Sequence, residues 1–75
     1  MNRETVDLDS DKDIARLLAE IVNTFRETRW PPVARQMREL GESEPAIDAV
    51  YLDTLELITS TFMQKIVELR RQRQQ

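Results

Sequence analysis

Apolar residues recur at helical spacing along two long stretches of this chain, and the two stretches differ in width. Over residues 10–29, Ile14, Leu17, Leu18, Ile21, Val22 and Phe25 fall within an arc of roughly 140° when successive residues are turned by 100°. Arg16, Glu20, Asn23 and Glu27 stand opposite. This pattern predicts a surface helix with one buried face. Over residues 44–72, Ile47, Tyr51, Leu55, Ile58, Phe62, Ile66 and Leu69 line one face. Leu52, Met63 and Val67 extend that face well past 180°, and Leu57 stands apart from both groups. By length the second helix spans about 40 Å against about 30 Å for the first. A narrow stripe cannot cover a wide one, so apolar surface remains for a further partner.

Local signals divide the elements. Ser10 is the expected N-cap of the first helix, with Asp13 in a capping-box position and Asp11 and Asp13 suited to the positive end of the helix dipole. Trp30-Pro31-Pro32 is expected to end that helix. A residue before proline is pushed out of the α region, so Trp30 and Pro31 are expected to be extended. Pro32 then opens a short helix over 32–40, carrying Val33, Met37 and Leu40 and stopped by Gly41. Trp30 is expected to plug the corner of the bundle. Ser43 caps the last helix, with Glu44 and Pro45 in its first turn. The β-branched run at 58–61 is its weakest point, and Arg70, Arg71 and Arg73 suit its C-terminal end. Residues 1–9 read as a flexible acidic arm and residues 73–75 as a frayed tail. The expected fold is all-α: two long antiparallel helices forming a hairpin, a short connecting helix, and assembly into a homodimeric helical bundle.

Composition narrows the chemistry. A chain of 75 residues makes one small domain whose core is marginal alone. It has no cysteine and no histidine, which removes disulfides and the usual zinc, haem and iron–sulfur ligand sets; no cofactor is expected. A single glycine and three prolines favour helices over turn-rich β structure. The net charge of −3 disfavours generic binding to nucleic acid or anionic membranes. No apolar run is long enough to cross a bilayer. The first thirteen residues carry five acids against two bases, unlike a secretory signal, so a cytoplasmic location is expected.

Three motifs bear on function. Residues 33–50 have the helix–glycine turn–helix spacing of a DNA-binding unit, with Leu40, Ile47 and Val50 where buried apolar residues belong. Met37 occupies a position that wants a small residue. The second helix also carries Glu44, Asp48, Asp53 and Glu56, with no base between Arg38 and Lys65, so duplex DNA would be repelled. Those same four carboxylates define a second alternative, a small Mg²⁺-dependent all-α hydrolase. The third is a basic corner, Arg26, Arg29, Arg35 and Arg38 around Trp30, as a possible partner contact. A non-enzymatic protein–protein interaction module fits best: an adaptor, chaperone or regulator that binds itself or another protein through its last helix. Leu52, Leu55, Phe62, Met63, Ile66 and Leu69 are the residues expected at the seam.

Overall fold

Every regular element in the computed structural model, which describes residues 7–73, is helical: α1 (Asp11–Thr24), a π-helical turn (Phe25–Arg29), α2 (Trp30–Glu39) and α3 (Glu44–Arg73). The protein is all-α, with no strand among the described residues. Ser10 caps α1 from extended backbone, its Oγ accepting the Asp13 N–H at 3.3 Å. The expected reciprocal half of the capping box is replaced. Asp13 accepts the N–H of Asp7 at 3.1 Å, while the Ser10 N–H goes to the Asp7 carbonyl at 3.0 Å. Residues 7–9, expected within a free arm, are therefore a turn folded onto the helix start. Residues 1–6 and 74–75, where the remainder of the arm and tail were expected, lie outside the described residues.

The expected break at Trp30-Pro31-Pro32 does not occur. Trp30 is helical (φ −72°, ψ −43°), and the chain stays helical from Asp11 to Glu39. What changes is the hydrogen-bond register: the Trp30 N–H donates to the Phe25 carbonyl, five residues back rather than four. Pro31 and Pro32 have no N–H, so carbonyls one turn earlier lose their helical donors, and a proline ring clashes with the carbonyl four residues before it. Widening that turn moves those carbonyls aside. Residues 26–29 are all exposed, so water can serve the freed groups. The extra residue also sets the facing direction. One residue added to a turn rotates everything downstream by about 100°. Phe25 and Trp30 are five apart, and the π turn brings them onto one side.

A turn centred on Gly41 joins α2 to α3. Gly41 has φ 91°, donates to Arg38 O at 3.0 Å, and is followed by Glu42, whose N–H reaches Met37 O at 3.0 Å. This is a Schellman stop, which needs a residue tolerant of positive φ. Ser43 then caps α3 through its Oγ, 3.3 Å from the Ala46 nitrogen. Arg38 and Glu44 bridge the turn with two parallel hydrogen bonds of 2.8 and 3.0 Å.

Among the described residues the buried core is four: Ile14, Ala34, Ile47 and Ile66. An aromatic cluster joins the π turn, α2 and α3: Trp30 lies 5.1 Å from Tyr51, and Phe25 lies 6.1 Å from both. Trp30 is half-buried there, in the plugging position expected of it. At the far end Arg70 donates to the Leu8 carbonyl, Arg73 pairs with Asp9, and Arg70 approaches Asp11 at 3.8 Å. The end of α3 thus lies against the start of α1. The molecule is elongated, measuring 50 × 30 × 16 Å.

Candidate interaction surface

One arc of α3 faces inward along its length. Ile47 and Ile66 are the two most buried residues of this helix, at 1% and 3% exposure. They are 19 positions apart, which at 100° per residue places them about 100° apart around the axis. Tyr51, Leu55, Ile58 and Phe62, half-buried, fill the interval. These six residues make one inward arc about 100° wide, and the further width read from the sequence, at Leu52, Met63 and Val67, stands at the surface.

Apolar surface nonetheless remains. Of the six residues expected at a seam, Leu52, Met63 and Leu69 are exposed, and Leu55 and Phe62 are half-buried. Ile66 is corrected: it is packed within the chain and has no surface to offer a partner. Leu57, set apart from both apolar groups in the sequence, is 66% exposed, and Val50 and Val67 are exposed as well. Leu57 borders an open groove of about 480 Å³ between α1 and α3, which Ile21, Ile58, Thr61, Phe62 and Lys65 complete. Ile21 was assigned to the buried stripe of α1, yet it stands at the surface here. A signal for this site was present in the sequence: Leu57 and Thr61 are four apart and share a helix face.

The other candidate sites separate. In the helix-turn-helix reading, Leu40 and Val50 were to be buried. Ile47 is buried, but Leu40 is 75% exposed and Val50 is also at the surface, because α2 turns its Ala34 and Met37 side toward α3 instead. Of the four carboxylates proposed for Mg²⁺, Glu44 is held by Arg38, and among the described residues no three acidic groups converge in a way that would hold a metal ion. The basic corner is divided too. Arg26 donates to Asn23 Oδ1 at 2.7 Å, Arg38 is taken by Glu44, Arg29 and Arg35 are exposed, and the ring neighbours of Trp30 are Phe25 and Tyr51.

Ion pairs on the surface are mostly single contacts, and Arg38–Glu44 is the pair held by two hydrogen bonds. The hydrogen bonds from Arg38 hold the Glu44 carboxyl below the usual glutamate range, and Glu44 in turn raises Arg38 above its ordinary value. No helix is long and apolar enough to cross a membrane among the described residues. Comparison with protein-family models, with curated proteins and with solved structures returns no match.

Proposed function

We propose that this chain is a protein–protein interaction module: an antiparallel helical hairpin that assembles with a second chain through the apolar surface of α3, giving a helical bundle. The observation that carries this reading is the exposed apolar set on α3, namely Val50, Leu52, Leu57, Met63, Val67 and Leu69, on an elongated molecule. Two quantities support it. The radius of gyration is 16.1 Å, whereas a compact chain of this length has about 11 Å. The accessible surface is 6111 Å², against about 4,800 Å² for a compact monomer of this mass. The excess, on the order of 1,000 Å² per chain, is the amount a homodimer interface removes from water.

Four buried residues make a core too small to stabilise a domain of this size by themselves, so assembly and folding are coupled in this reading. Sedimentation equilibrium at micromolar concentration tests it. The expected result is a cooperatively folded species of at least twice the 8.8 kDa chain mass. A cooperatively folded monomer at every concentration would remove the basis of the proposal.

A further inference from the structure

On α3, Asp53, Leu57, Thr61 and Lys65 follow one another at intervals of four, and all four are exposed. Residues so spaced form one ridge along a helix. From its N-terminal end this ridge reads acid, apolar, methyl-bearing, base. Turned end over end about its midpoint, it becomes its own complement: Asp53 meets Lys65, Leu57 meets Thr61, and each pairing occurs twice. Three of the four residues also line the groove that Ile21 and Phe62 help to form.

We propose that the partner of α3 is a second copy of this chain, packed antiparallel along this ridge, with Leu57 of each copy entering the other's groove beside Thr61 and Ile21. The proposal rests on the reading of α3 as an interaction surface and adds the partner's identity and orientation for its Leu57 side; Leu52, Met63, Val67 and Leu69 stand about 80–140° around the helix from Leu57, outside this contact. A two-fold interface brings one patch against itself, so the patch must be self-complementary, as this ridge is. Ridges of this spacing interlock with the axes crossed at about 50°. Each step of four turns the ridge by about 40°, which leaves Leu57 and Thr61 at the centre and the two charges at the rim, within reach of long side chains.

Charge selects the antiparallel orientation and a second copy. The first half of α3 carries Glu44, Asp48, Asp53 and Glu56 without a base; its last third carries Lys65, Arg70, Arg71 and Arg73 against Glu68 alone. The helix dipole accounts for charges in the first and last turns, but not for Asp53, in the third turn. Asp53 has no hydrogen-bond or ion-pair partner among the described residues, and Lys65 reaches only Glu68 on its own helix, at 3.4 Å. Parallel pairing would set Asp53 against Asp53. Antiparallel pairing supplies the missing counter-charge at both rims, and like charges placed directly across an interface disfavour the wrong orientation.

Charge reversal with mixing tests the arrangement. Asp53→Lys and Lys65→Asp, each alone, oppose like charges at both rims, and each is expected to raise the dimer dissociation constant about tenfold or more. Mixed in equal amounts, the two variants oppose acid to base again, and the mixture is expected to sediment as a heterodimer at wild-type affinity. Circular dichroism accompanies each sample. Should a reversal reduce helicity, Asp53→Asn and Lys65→Gln replace the pair, with a several-fold weakening expected for each. A wild-type dimer indifferent to these changes, or weakened singles that mixing does not rescue, would overturn this geometry and leave the interaction surface standing. A wild-type monomer would overturn both.

Discussion

Gly41 shows how much a single residue can decide here. Its φ of 91° belongs to a region that L side chains rarely adopt, and a Cβ placed on it would meet nothing within 4 Å. The cost of substitution is therefore backbone strain alone. Gly41→Ala is expected to cost roughly 1 kcal/mol, lowering the melting temperature by several degrees, while Gly41→Asn loses less because asparagine tolerates this region. A thermal melt that did not separate the two variants would contradict the assignment. Beside the glycine, the Arg38–Glu44 pair makes a pH prediction. The Glu44 pKa is lowered on folding by the hydrogen bonds from Arg38, so its contribution is present above the unfolded value and lost as pH falls through the folded one. Glu44→Gln is expected to flatten that part of the acid-side stability curve and to leave the alkaline side unchanged. Both groups are exposed, so the effect is small.

Among the elements, the continuous helical run from Asp11 to Glu39 differs most from expectation. Proline rules predict an end at Trp30, and the rules concern local sterics. They are met by a wider turn instead, because a wider turn also keeps Trp30 and Ala34 directed at α3. The apolar spacing already contained the phase: Phe25 to Trp30 is five residues, one more than a helical turn of contacts needs. A deletion tests this. Removing Glu27 while replacing Pro31 and Pro32 by alanine converts the segment to plain α-helix without changing which way α2 faces. That variant is expected to melt cooperatively at or above the wild-type temperature. Removing Ala19 from α1 instead turns Ile14, buried here, about 100° relative to the rest of the helix, and the cooperative melt is expected to disappear. Equal behaviour of the two deletions would show that phase is not what the π turn preserves.

The whole molecule is a thin, elongated layer with a four-residue core, and that shape makes stability depend on concentration. If assembly stabilises the fold, the melting temperature rises with chain concentration by mass action. A rise of several degrees over a hundredfold range is expected by differential scanning calorimetry, and a constant value would mean that the single layer is stable alone. Leu57→Asp is expected to abolish the rise, since Leu57 is 66% exposed and makes its proposed contacts only across the groove.

Much was settled locally, by the sequence alone. The all-α class, the caps at Ser10 and Ser43, the Gly41 stop and a last helix running unbroken through its β-branched segment follow from hydrogen-bonding and steric preferences that act within a few residues. The apolar periodicity also placed Ile14 and Ile47 on the inward faces, and both are buried. Tertiary structure alone decided which residues remained outside. Ile66, expected at a seam, packs within the chain, and Ile21, expected in the buried stripe of α1, stays at the surface, because what a residue on an apolar face meets depends on how the helices cross. It likewise decided that the Trp-Pro-Pro segment widens rather than breaks, and that residues 7–9 fold against Arg70 and Arg73. In each case a preference acting over one turn yielded to contacts made by residues far apart in the chain.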